Sequence, residues 1–141
     1  MNPALILAVS AGVAIALQVV ANSIGLRDLG LGGLICISGA TTALAGLTLA
    51  LFAARPEATG RALLCALASG LLGAFILAGI VIAANRGGLA QTLSLVIASQ
   101  LIFGLAIDRL GLFGPVAQEF GLFKVLGVVL ILVGGILVVR A

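Results

Sequence analysis

Two carboxamides one helical turn apart, Gln18 and Asn22, interrupt an otherwise apolar run. At about 100° per residue they lie roughly 40° apart on one surface, with Gly25 on the same side. An amide without a partner in hydrocarbon costs several kcal/mol, so each must find another helix, water or a solute. A third amide, Gln100, heads the series Gln100, Gly104, Asp108 at i, i+4 and i+8, and Thr92 and Ser99 share a neighbouring face. These groups can donate and accept hydrogen bonds, but they hold no nucleophile–base pair. Two roles fit them equally well: glue between helices, or the lining of a polar pathway.

What else the chain offers narrows the chemistry. It contains no His, so the common catalytic triads lack their base and metal centres lack their usual ligand. Cys36 and Cys65 lie in apolar runs where a thiol behaves as a small buried hydrophobe, and no disulfide, metal or other cofactor is indicated. The expectation is a protein that is not an enzyme. The four acids, Asp28, Glu57, Asp108 and Glu119, all fall in or beside expected loops, so no carboxylate occupies the centre of a span to exchange protons with a cation. Asp108, followed by Arg109, reads either as an interfacial ion pair or as a polar contact at a cavity mouth. Amides with hydroxyls such as Thr42 and Ser99 suit a neutral or zwitterionic solute better than a cation. Membrane hydroxyls also bond their own backbone, and Ser38, Thr41 and Thr42 are open to that reading.

The elements that must carry these groups are membrane helices. Hydrophobic residues make up 63% of the chain and charged residues only 8%, against roughly 25% charged in soluble domains. A net charge of +3, scattered along the chain, gives no nucleic-acid-binding surface. Five stretches reach the roughly 20 apolar residues that cross a hydrocarbon core: Pro3 to Ser23, Leu31 to Ala54, Ala62 to Ala84, Gly88 to Ile107 and Leu122 to Val139. The linkers read as Gly25 to Gly30, Arg55 to Arg61 around Pro56, a tight Asn85-Arg86-Gly87 turn, and Asp108 to Gly121 with Pro115. Short linkers make each helix a neighbour of the next, in a single membrane domain over residues 1–141. The first stretch is too long for a signal peptide and lacks a basic leader, so it is expected to stay in place. Small residues at helical spacing, namely Ser69 with Gly73, Gly70 with Ala74, and Ala43 with Gly46 and Ala50, are expected at helix contacts. Gly127, Gly134 and Gly135 invite the same reading, including a dimer contact.

Orientation is weakly specified. With five crossings, Arg55, Arg61, Arg109 and Lys124 fall on one side and Arg27, Arg86 and Arg140 on the other. The positive-inside rule acts on such an excess, and here it is a single residue. One explanation is insertion both ways, so that two opposed copies form an antiparallel homodimer with ten helices, an inverted repeat built without gene fusion. The other is a partner subunit that fixes the orientation. In the first case Gln18 of one copy comes level with Gln100 of the other.

The chain resembles the YdcZ-like inner-membrane exporter family of bacteria, five-span proteins related to halves of the drug/metabolite transporter superfamily. The resemblance is carried by Met1-Asn2-Pro3 leading to Gln18 and Asn22, by Gly70-Leu71-Leu72-Gly73-Ala74-Phe75, by Gln100 before Asp108-Arg109-Leu110-Gly111-Leu112-Phe113-Gly114, and by Leu126-Gly127-Val128-Val129-Leu130. It implies a multi-pass protein of the bacterial inner membrane that exports a small solute. The family includes members that look like dual-topology homodimers, paired subunits and fused proteins. Asn85-Arg86-Gly87 departs from the Pro-containing turn that relatives tend to carry. The resulting expectation is alternating access in an antiparallel dimer, with Gln18, Asn22, Gln100, Ser99 and Thr42 along the solute path and Asp108 at its mouth. The competing expectations are a heterodimeric transporter and a membrane protein that assembles a complex without transporting anything.

Overall fold

The computed structural model describes residues 2–53, 59–110 and 122–140. Every regular element among them is α-helical: α1 (Pro3–Phe52), α2 (Gly60–Gly87), α3 (Leu89–Arg109) and α4 (Leu122–Arg140). The first three are long and apolar enough to cross a membrane, and Val125–Arg140 of α4 is a shorter apolar helix. The chain forms two compact units, Met1–Asn85 and Arg86–Ala141.

Sequence-local chemistry starts these helices. Asn2 caps α1, its side-chain oxygen accepting from the Ala4 N–H at 3.1 Å, and Pro3 occupies the first helical position, where its missing N–H costs nothing. Thr59 does the same for α2, its hydroxyl accepting from the Ala62 N–H at 3.3 Å. Arg86, Arg109 and Arg140 stand in the last turns of α2, α3 and α4, where the exposed carbonyl ends favour a cation.

At 50 residues, α1 would be about 75 Å long if straight, more than twice the hydrocarbon thickness. It is broken at Gly30, whose φ of 66° and ψ of 172° belong to a region only glycine occupies readily. A Cβ built on Gly25 would lie 3.2 Å from Leu34 Cδ1. Nine residues of straight helix would separate these two positions by about 13.5 Å, so the chain folds back sharply at the glycine. The expected first two spans are therefore two arms of one element, residues 3–29 and 31–52. The expected linker from Gly25 to Gly30 is helical up to Leu29, and one glycine makes the whole turn. Apolar side chains on both arms keep the helix going wherever nothing forces it to stop.

The same correction applies at the next boundary. Asn85, Arg86 and Gly87 remain helical, and the break falls on Gly88, with φ 86° and ψ 156°. The last helical carbonyls here need a residue that can enter positive φ, and Gly88 supplies it. Gly30 and Gly88 are the positive-φ residues among those described. The proposed linker around Pro56, the segment with Pro115, the acids Glu57 and Glu119 and the Gly111 to Gly114 part of the family motif lie outside the described residues, as does the Lys124 side chain.

Little of the surface is covered. Among the described residues Val19, Leu34, Val81 and Thr92 are buried, while large apolar side chains stand exposed along all four helices. Such a surface is suited to lipid and to other membrane helices, not to water. Cys36 and Cys65 are exposed instead of buried, because an apolar run in a membrane helix also faces the bilayer. Among the described residues the expected small-residue contacts mostly do not form: nothing lies within 4 Å of a Cβ built on Gly46, Gly70, Gly73, Gly127 or Gly134. Gly135 is different. In the second unit α3 packs against α4, and a Cβ on Gly135 would meet Ser94 O at 3.7 Å and Ser94 Cβ at 3.8 Å.

Candidate functional site

Extending the first arm to Leu29 changes the depth of its amides. Measured from Pro3 over a span ending at Ser23, Gln18 would sit two thirds of the way across and Asn22 at the exit. From the actual turn at Gly30, Gln18 is twelve residues, about 18 Å, away and Asn22 eight residues, about 12 Å. Gln18 therefore lies near the middle of a 30 Å core. Thr42, twelve residues beyond Gly30 on the other arm, is at the same distance from the turn.

The first arm is covered mainly on one side, with Gly25, on the Gln18 side, also partly covered near the turn. Val19 is buried and Ala16, Asn22, Ser23 and Leu26 are partly covered, all within about 60° of Val19 around the helix. Asn22 marks the edge of that face, and Gln18, about 100° from Val19, is exposed beyond it. The two amides thus share a side of the helix but not an environment. Among the described residues neither has a hydrogen-bond partner, and the same holds for the exposed Gln100.

The hydroxyls behave as membrane hydroxyls commonly do. Thr41 Oγ1 donates to Ile37 O, Thr42 Oγ1 to Ser38 O and Ser99 Oγ to Val96 O, each at 2.9 Å. Their donors are occupied, and their oxygens stay free to accept. Thr92, buried, donates to Gly88 O at 2.9 Å and so closes the first turn of α3 on the glycine that starts it.

On α3 the series Gln100, Gly104, Asp108 does not stay on one side. Each four-residue step advances about 40°, so Asp108 is about 80° from Gln100 and within about 40° of Ser94, the residue that faces α4. Accordingly Gly104 and Asp108 are partly covered and Gln100 is exposed. Asp108 stands at the end of α3 beside Arg109, and neither side chain is without a partner. No cluster of three or more His, Cys, Asp or Glu able to hold a metal ion occurs among the described residues.

Sequence reasoning missed one polar link. Asn85 Nδ2 donates to Val81 O at 2.8 Å and to Ser23 Oγ at 3.2 Å, tying the end of α2 to the first arm of α1 inside the first unit. Ser23 had looked like the last residue of a span and Asn85 like part of a turn. The signal was the Gly87-Gly88 pair, since a helix can continue through Asn85 to reach a glycine that ends it.

This arrangement is that of an all-α membrane protein whose mid-helix amides Gln18, Asn22 and Gln100 have no hydrogen-bond partner among the described residues. The family model described as "Putative inner membrane exporter, YdcZ", of the drug/metabolite transporter type, matches residues 3–137. The chain belongs to this family. No curated protein and no solved structure matches it. Membership of the YdcZ family places the chain in the inner membrane as a multi-pass protein, and several apolar helices of membrane-crossing character agree with that. The YdcZ match also covers Gln18, Asn22, Thr42, Ser99, Gln100 and Asp108, and it assigns none of them a role.

Proposed function

We propose that the chain works as an antiparallel dimer, two five-span copies of opposite orientation, which moves a small neutral or zwitterionic polar solute by alternating access. Gln18, Asn22 and Gln100, with Ser99 and Thr42, line the path, and Asp108 stands at its mouth. The observation that carries this reading is that Gln18 and Gln100 project exposed amides from mid-helix without a hydrogen-bond partner among the described residues. Each such group in hydrocarbon costs several kcal/mol, and on this reading its partner comes from outside the chain. A second copy, water held between copies, and the solute are partners an exporter provides. The near-balanced basic residues support opposed orientations, and a depth near the bilayer centre keeps Gln18 and Gln100 level when one copy is inverted.

The test places cysteines at Gln18 and Gln100 in a background with Cys36→Ala and Cys65→Ala, and oxidises native membranes. A disulfide linking residue 18 of one copy to residue 100 of another, together with C-terminal reporters active on both sides of the membrane, is the expected result. One-sided reporters with no such crosslink would overturn the dimer. For the solute class, a thermal-shift panel of neutral amides, polyols and zwitterionic amino acids on purified protein should return stabilising compounds, because a ligand that binds the folded state raises its apparent stability.

A further inference from the structure

We infer that the chain contains one helix–glycine–helix module twice, 58 residues apart, and that this makes Thr41-Thr42 the counterpart of Ser99-Gln100, a second water-facing polar step at mid-depth. The inference rests on the pathway reading above and adds to it Thr41 and the equivalence of the two polar steps.

The two breaks are alike in backbone and in surroundings. Gly30 and Gly88 occupy the same glycine-specific region, at φ 66° and 86° and ψ 172° and 156°. Each is followed by a leucine, Leu31 and Leu89, and the fourth residue after each is buried, Leu34 at 7% exposure and Thr92 at 5%. Nothing lies within 4 Å of a Cβ on either glycine, so the conformation and not crowding selects the residue type.

The register extends along both arms. Before the glycine, Ala4, Ala8, Gly12 and Ala16 recur as Ala62, Ala66, Gly70 and Ala74, four residues apart in both copies; after it, Ala40, Gly46 and Leu47 recur as Ala98, Gly104 and Leu105. Eleven residues past each glycine stands a hydroxyl bonded to its own backbone, Thr41 to Ile37 O and Ser99 to Val96 O. Twelve residues past stand Thr42 and Gln100, about 18 Å of helix from the turn. The copies have diverged in their amides. Gln18, twelve residues before Gly30, corresponds to Ile76, whereas Gln100, twelve residues after Gly88, corresponds to Thr42. Each module thus keeps one glutamine at the same distance from its glycine, on opposite arms.

Equivalent positions at equal depth should meet the same medium. The test introduces single cysteines at Thr42 and Gln100, and at the next equivalent pair, Leu44 and Ile102, which point about 200° away around the helix. The background lacks Cys36 and Cys65, and the probe is a sulfonated, membrane-impermeant methanethiosulfonate applied to protein in lipid vesicles. A thiol becomes reactive as the thiolate, which forms where water reaches it; it attacks the reagent's sulfenyl sulfur and expels methanesulfinate. The expected result is labelling of Thr42→Cys and Gln100→Cys at similar rates, each about tenfold or more faster than Leu44→Cys and Ile102→Cys. Thr41→Cys and Ser99→Cys provide a second equivalent pair. Fast labelling at 100 and 99 with slow labelling at 42 and 41 would overturn the module equivalence and remove Thr42 from the path, leaving Gln18, Asn22, Ser99 and Gln100 as its lining. Labelling at all four positions no faster than at 44 and 102 would overturn both.

Discussion

Gly30 isolates a backbone effect from a packing effect. An alanine there would meet nothing within 4 Å, so its methyl group costs no steric energy, but it would have to hold φ near 66° and ψ near 172°. That region is essentially closed to residues with a Cβ and costs about 1–3 kcal/mol. Gly32, two residues on, is the matched control: it has the same open surroundings, but its backbone is helical. Alanine at Gly32 should stabilise by about 0.5–1 kcal/mol, since it removes unfolded-state freedom at a compatible site. The expected separation between Gly30→Ala and Gly32→Ala is therefore about 1.5–4 kcal/mol, at least a tenfold difference in the ratio of folded to unfolded protein. Purified variants would be unfolded by raising the dodecyl sulfate fraction in mixed micelles, with helicity followed by circular dichroism. Coincident midpoints for the two variants would refute the argument that Gly30 is required by its conformation.

Other substitutions test separate contacts. Gly25→Val should push the two arms of α1 apart, because even a Cβ there approaches Leu34 Cδ1 to 3.2 Å; adding Leu34→Ala should recover much of the lost melting temperature, and no recovery would argue against that contact. Ser23→Ala removes one acceptor of Asn85 while leaving Val81 O in place, so the loss should be near the 0.6 kcal/mol average for interhelical hydrogen bonds, read as a small shift in melting temperature. Gly135→Ala should be tolerated, given ordinary contact distances to Ser94, whereas Gly135→Leu should separate α3 from α4 and lower thermal stability clearly. Gln18→Leu should abolish flux in reconstituted vesicles of whatever solute the thermal-shift panel identifies while the dimer persists on size exclusion; loss of assembly instead would assign Gln18 to helix contact alone.

The helical character of the chain was legible because apolar runs of membrane length leave the backbone no other way to satisfy its polar groups. Boundaries were less so. Arg27-Asp28 and Asn85-Arg86 looked like loop residues by polarity, yet both continue helices, since charged side chains near a membrane surface do not stop a helix and a positive-φ glycine does. Misplacing the first end by six residues put Gln18 too near the exit. The small residues gave the converse lesson: spacing alone shows which helix faces are smooth enough to pack, but not whether the partner belongs to the same chain, and Gly135 with Ser94 could not be told from Gly70 in advance. The Ser23 to Asn85 bond spans 62 residues, and nothing local announces a contact of that range.

Because Gly30 turns the chain by itself, the leading tip of the first hairpin has no polar loop to carry when it threads into the bilayer. Arg27 is the one cation near that tip, with Asp28 beside it. On the opposed-orientation reading proposed above, the choice of side falls to the segments made later.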